Sequence, residues 1–279
     1  MAKIRLLANL NCDHVLSLDE PLQAGSRLQY RDLGRRLGGG GANTGTGLLW
    51  AGHQVSILAR VGQDSTGHWL LQKAAELGLD ISHVEQFDGE TGELLVLVDG
   101  RGERTILRQH RRPALPGTLP TDSVDCLYVN YEGADVAAYM AQMAASGLVV
   151  SQYPKGGCDS RPCQVMIASA ADLAQQQDLW HHGQQLAGAD LQWLVVTHGE
   201  QGVEAFSATQ HLQIPARPVS VVDATGAGDA FAGGLIHGLL TGLPMAAVLT
   251  QASQWAAYTL SSSSSIPSEQ LKHYLNVNG

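Results

Sequence analysis

Asp223 and Asp229 bracket Ala224-Thr225-Gly226-Ala227-Gly228, and an apolar run, AFAGGLIHGLL, follows at once. Phe231, Leu235 and Leu239 recur every fourth residue, which sets them on one helical face. The preceding Ser220-Val221-Val222 reads as the end of a buried strand. The segment is therefore expected to run strand, tight glycine turn, helix N-terminus. A helix N-terminus offers unpaired backbone N–H groups and a partial positive charge, which together receive an anion. A carboxylate at Asp229 would repel that anion unless it has another task. Two tasks fit: capping its own helix, or accepting the proton of a hydroxyl that attacks a phosphate held by the Gly226, Ala227 and Gly228 amides.

Four other stretches carry polar groups where a strand should end. In NLNCDH, Asn11 and Asp13 alternate onto one side of an extended chain, where they would receive neighbouring hydroxyls of a polyol or form an Asx turn. In GGGGAN, Gly38 to Asn43, glycines permit close approach of a ligand to the backbone, and Asn43 either binds that ligand or caps the next helix. Glu132 in YVNYEG stands just beyond an apolar run, where a lone acid is most often solvated. Thr197 to Gly202, THGEQG, reads as a glycine turn between two strands. The chain contains no Walker-type GxxxxGK(S/T) and no GxGxxG, which removes the support for a P-loop or a dinucleotide-binding site.

The elements that must position these groups alternate. Short apolar runs (IRLLANL, VSILARV, CLYVNY, LVVSQYP, VMIAS, LQWLVVTHG) are separated by segments of helical length. The latter are ANTGTGLLWAG, TGHWLLQKAAELG, DVAAYMAQMAASG and AADLAQQQDLWHHGQQLAG. Such alternation predicts an α/β fold, a mostly parallel sheet with helices on both faces, and ligands beyond the carboxyl ends of the strands. Residues 12–37 and 87–112 break the rhythm. The first has strand-like pieces without a helix, and the second reads as a hairpin, GELLVLVD, the turn GRGE, then RTILRQH. The two are expected to form a small β lid inserted in a single domain spanning residues 1–279.

Bulk composition narrows the partners. The chain has 279 residues, 44% hydrophobic, with a formal net charge of −9, and only four of its seventeen basic residues are lysine. Nucleic acid and anionic membranes need clustered basic charge and are not expected partners. Cys12, Cys126, Cys158 and Cys163 form no CxxC and read as isolated reduced thiols. The N-terminal apolar run is too short for a signal peptide, and no run approaches a membrane span, so the expected compartment is the cytoplasm.

Taken in this order, the segments resemble the ribokinase branch of the PfkB carbohydrate kinase family over nearly the whole chain. DATGAGDAFAGGLI is similar to the family's C-terminal signature, and the region from GGGGANTGTGLLWAG to LQKAAELGLDI is similar to its N-terminal one. The resemblance implies a Rossmann-like three-layer core with a β lid and ATP-dependent phosphorylation of a sugar hydroxyl with Mg²⁺. A homodimer through the lid is implied as well. It makes Asp229 the general base and Gly226, Ala227 and Gly228 the anion hole. Asn11, Asp13, Gly39, Gly40, Asn43 and Glu132 then match sugar-binding positions, and Thr197, Gly199 and Gly202 match the loop along the ATP phosphates. Asp223 and Thr225 match positions that help hold K⁺ in activated members.

Three departures stand out. Ribokinases usually carry lysine where Gly40 stands. The Asn-x-x-Glu motif tied to Mg²⁺ is here Ser169-Ala-Ala-Asp172, with a shorter acid. Serines 261 to 265 stand near the cation loop, where a small residue, often glycine, is expected. Two other readings stay open: a nucleoside kinase using the same base, and a sugar-binding regulator that has lost its kinase activity.

Overall fold

The computed structural model describes residues 1–101, 103–109, 115–131, 133–154 and 160–278. Glu132, Cys158 and the 110–112 end of the expected hairpin lie outside the described residues.

From the N-terminus the chain forms β1 (Lys3–Ala8), β2 (Asn11–Leu18), β3 (Tyr30–Gly38), α1 (Gly40–Trp50), β4 (Gln54–Gly62) and α2 (Ser65–Glu76). Then come β5 (Val84–Phe87), β6 (Glu93–Val98), β7 (Arg104–Arg108), β8 (Cys126–Asn130), α3 (Ala137–Ala144), β9 (Leu148–Gln152) and β10 (Val165–Ser169). The last third holds α4 (Leu179–Ala187), β11 (Trp193–Thr197), β12 (Val203–Phe206), β13 (His211–Ile214), α5 (Ala227–Leu240), α6 (Met245–Leu260) and α7 (Glu269–Asn278).

Nine strands make the large sheet, in the order β13-β12-β11-β10-β9-β8-β1-β4-β5. Every pairing is parallel except those of β12 with its two neighbours. Its central strands are apolar on both sides because both faces are covered. Ile4, Leu6 and Ala8 pack with residues of α1, α2, α5 and α6, while Leu7, Leu127 and Val129 pack with residues of α3 and α4. Arg5 is buried on the second side, and Asp122 accepts both of its Nη2 contacts at 2.9 Å.

The second sheet has the order β3-β2-β6-β7, with β2 and β6 parallel and the outer pairs antiparallel. Alternation assigns its faces. Asn11, Asp13 and Val15 of β2, Leu94 and Val96 of β6, and Arg104, Ile106 and Arg108 of β7 face a cavity over the large sheet. Leu16, Leu18 and Leu97 turn outward and are covered in part by Leu28.

Three expected elements differ. The helix expected over 170–188 is a short 3₁₀ turn, Ala170–Leu173, followed by α4. Between them the Asp178 carboxylate accepts from His181 N at 3.0 Å and starts a new helix. The helix expected over 135–147 likewise opens with a 3₁₀ turn, Ala134–Val136. Ser220-Val221-Val222 is not a buried strand end: both valines are 62% exposed. The chain returns there from the edge strand β13 to α5, and among the described residues no strand pairs with it. Val222 N and Asp223 N donate instead to Leu260 O, at 2.8 and 3.2 Å.

Candidate active site

Two cavities open beyond the carboxyl ends of the parallel strands. The larger, about 770 Å³, lies between the large sheet and the small one. The smaller, about 280 Å³, lies beyond β9, β10 and β11. Asn130, Tyr131, Gly226 and Asp229 line both, so the wall between the cavities is built by the end of β8 and the start of α5.

Gly226 caps α5 with a left-handed φ of 80°, and a Cβ there would fall 2.5 Å from Ser265 O, so the turn requires glycine. The first N–H groups of α5 have no carbonyl one turn earlier. Ala227 N donates to Ala224 O at 3.3 Å, while the Cα of Gly228 faces open space on the side of the smaller cavity.

Asp229 stands in the first turn, and asparagine amides hold its carboxylate. Asn43 Nδ2 donates to Oδ2 at 2.8 Å, Asn130 Nδ2 approaches Oδ1 at 3.5 Å, and Thr44 Oγ1 donates to the backbone O at 3.0 Å. Burial raises the Asp229 pKa above the ordinary carboxylate value, and the Asn43 hydrogen bond opposes the shift. Asn43 does not cap α1: the helix begins three residues earlier, with Gly39 at the cap. Its Oδ1 is buried without a hydrogen-bond partner.

Around this base lie the other expected ligand groups. Asn11 and Asp13 line the larger cavity, with Gly39 and Gly40 beside them. Gly39 has φ 88°, and a Cβ on it would meet Asn9 O at 2.3 Å. At Gly40 a Cβ would fall 2.6 Å from Asn130 Nδ2 and 3.3 Å from Asp229 Oδ1, so the Asn130 amide occupies the space into which a lysine would grow. Burial pushes the Asp13 carboxyl up to about 6 against the opposing charges of Arg104, Arg108 and Arg36, and its Oδ1 has no hydrogen-bond partner. Thr197 and Asp172 line the smaller cavity. Gly199 and Gly202, with φ of 58° and 104°, shape the turn between β11 and β12 and do not line either cavity.

Asp223 and Thr225 lie in the loop before α5, but Arg104 reaches down from β7 to both. Its guanidinium pairs with the Asp223 carboxylate and donates to Thr225 Oγ1. A cation is thus already on these two oxygens, and they do not fit K⁺ in this arrangement. The described residues hold no group of three acidic, His or Cys side chains able to bind a metal, and no described helix is long and apolar enough to cross a membrane.

Asn130, Arg36, Arg104 and Arg108 were not among the expected site residues. Asn130 stands within the YVNYEG stretch that pointed to Glu132, two residues earlier on the strand. The arginines have no local motif.

A family model described as pfkB family carbohydrate kinase matches residues 1–118 and 165–271. Among curated proteins, an ATP-dependent ribose-1-phosphate kinase of Halopiger xanaduensis is 27% identical over 273 residues, covering 93% of this chain and 92% of that one. A ribokinase of Haemophilus influenzae is 24% identical over 260 residues, 85% of each chain. Among solved structures, a ribokinase from Thermotoga maritima superposes with a TM-score of 0.83 over the whole of both chains, at 18% identity. With a match that spans most of its length and both signature regions, the chain belongs to the pfkB family of carbohydrate kinases.

Proposed function

We propose that the protein transfers the γ-phosphoryl group of ATP to a hydroxyl of a small sugar, with Asp229 as general base. One observation carries this reading: Asp229 and the Gly226 turn stand where the two cavities meet, so an acceptor on one side and a phosphate donor on the other reach each other there. The sugar sits under the small sheet, which serves as its lid. Its hydroxyls are received by Asn11, Asp13 and Asn43 Oδ1, to which the family resemblance adds Glu132. ATP extends from the smaller cavity past Thr197, with the Gly199–Gly202 turn along its phosphates.

The attacking hydroxyl gives its proton to Asp229, whose raised pKa makes it a stronger acceptor, while the Gly226, Ala227 and Gly228 amides receive the transferring group. Mg²⁺ fits as a companion of the ATP phosphates, whose charge it neutralises. Asp172 is the carboxylate in the smaller cavity that would meet it, through water. Tyr131 is the one aromatic side chain lining the larger cavity among the described residues, which favours a sugar over a nucleoside base. Relatives named as ribose-1-phosphate kinase and as ribokinase support the reaction class and leave the acceptor open.

Asp229→Asn tests the base. Asn keeps the shape and accepts one of the two amide donors of Asn43 and Asn130, but cannot take a proton. The expected outcome is a kcat lower by ~10²–10⁴-fold with KM for sugar and ATP little changed. Turnover near wild type would remove Asp229 from the mechanism, because helix capping tolerates Asn as well as Asp.

A further inference from the structure

Asp223 sets a problem of charge. Its side chain is 2% exposed, and a carboxylate that deep needs a counter-charge. It also stands shortly before the Gly226 cap, so its negative charge, left alone, would repel any phosphate brought to the first amides of α5. Its Oδ1 accepts from Thr225 N at 2.8 Å and closes the turn. Arg104 Nη2 pairs with the other oxygen, Oδ2, while Nη1 donates to Thr225 Oγ1. Both arms of one planar fork are thus spent on a single turn, and they fix it up to the residue before the cap.

The counter-charge comes from another layer of the molecule. Arg104 opens β7 of the small sheet and stands opposite Val98 of β6. Arg104, Asp223 and Thr225 all line the larger cavity, so the guanidinium ties the small sheet to the start of α5 at the cavity wall. Burial raises the Asp13 pKa, and Arg104 is the charge that opposes the rise most. One cation therefore acts on a carboxylate of the small sheet and on a carboxylate of the loop before α5. A cation free in solution would neutralise Asp223 wherever the small sheet lay. A guanidinium on β7 does so only while that sheet covers the cavity.

We propose that Arg104 is a tethered cation and the positioning residue of the α5 turn. It takes the place of a free monovalent ion at Asp223 and Thr225, so the turn that receives phosphate is complete only with the small sheet in place. The consequence for phosphate binding rests on the kinase reading above, whereas the occupied cation site does not. The wild type therefore gains nothing from added K⁺. With the side chain cut back to alanine, a buried carboxylate and a hydroxyl face an opening of guanidinium size, which K⁺ enters and tetramethylammonium is too large to fill.

The test uses the full chain in KCl and in tetramethylammonium chloride at equal ionic strength, reading the melting temperature and the calorimetric Kd of Mg·ADP. Wild type should give the same values in both salts. So should Arg31→Gln, which removes another positive charge of the small sheet. Arg104→Ala should melt ~4 °C or more higher in KCl than in tetramethylammonium chloride. Its Kd for Mg·ADP should be ~10-fold weaker than wild type in tetramethylammonium chloride and recover in KCl. Arg104→Lys, which keeps a charge on the tether, should need no K⁺. The double variant Arg104→Ala/Asp223→Asn, which removes the buried charge as well, should lose the salt dependence. A wild type stabilised by K⁺, or an Arg104→Ala indifferent to it, would overturn the proposal while the kinase reading stands. If Arg104→Ala folds in neither salt, the double variant decides. Its folding supports the need for a counter-charge, and its failure to fold makes Arg104 a packing residue and overturns the proposal. Absence of Mg·ADP binding by the wild type would count against the kinase reading separately, and the melting temperatures would still decide the cation.

Discussion

Arg104 carries a positive charge from the roof of the cavity to the loop beneath it, where the buried Asp223 carboxylate and Thr225 Oγ1 receive it. That loop leads directly into the Gly226 turn, so the cation also helps set the first amides of α5. With the guanidinium in place, turnover should not change when K⁺ is replaced by tetramethylammonium at constant ionic strength. Strong K⁺ activation of the wild type would show that Arg104 leaves this position in the working enzyme. Arg104→Gln leaves Asp223 buried and unpaired. Breaking such a pair costs ~3–5 kcal/mol when both partners are buried, and less here because Arg104 is partly exposed. The glycines and acids of the signature could be read as strings, because one short segment supplies turn, amides and carboxylate together. Asn130 and the three arginines could not, since each meets the site only through strand register between distant segments. Asn43 was legible as a polar residue near the site, but its task of holding Asp229 depends on α5 packing against α1.

At the scale of elements, buried parallel strands are the easiest to recognise, because covering both faces demands continuous apolar runs, and VMIAS coincides with β10. The hairpin was equally plain: Asp99 Oδ1 accepts from Arg101 N and Glu103 N and closes the turn between β6 and β7. Ser220-Val221-Val222 misled because β-branched residues in an exposed crossing look the same as a strand until their neighbours are known. The small sheet has two free edges, β3 and β7, among the described strands. Leu16, Leu18 and Leu97 of its outer face are already buried with Leu28, while Leu107 and Tyr30 on the two edge strands are 47% and 61% exposed. Two open edges that each carry an exposed apolar side chain suit pairing with a second copy of the same sheet related by a two-fold axis. Sedimentation velocity at tens of micromolar should give twice the chain mass, and Leu107→Lys should halve it. A wild-type monomer at that concentration would exclude this arrangement.

At the scale of the molecule, the side of the large sheet away from the cavities is tied together by two neutral histidines. Ala2 N donates to His53 Nδ1 at 3.3 Å, which leaves His53 Nε2 to donate to His237 Nδ1 at 2.9 Å, and His237 stacks on Trp255. The chain's start, the turn after α1 and the last turn of α5 thus share one hydrogen-bond chain that works only with His53 uncharged. Burial pulls the His53 pKa down to about 4, with the neighbouring His237 adding to the shift, and burial lowers His237 too. Between pH 6.5 and 4 the unfolded chain binds more protons at His53 than the folded one, so its contribution is complete above pH 6.5 and is lost on acidification. Asp13 has the opposite sign: its folded pKa, raised to about 6, makes the folded state bind more protons between 3.8 and 6, and its contribution grows as pH falls. The wild-type profile is a sum of such opposed terms, and only a difference between variants isolates one of them. Urea unfolding of wild type and His53→Gln at pH 7, 6, 5 and 4.5 should show the wild-type advantage shrinking by about 2–3 kcal/mol across the range. Parallel profiles would mean that His53 titrates in the fold as it does in the unfolded chain, and that the hydrogen-bond chain from Ala2 to His237 survives its protonation.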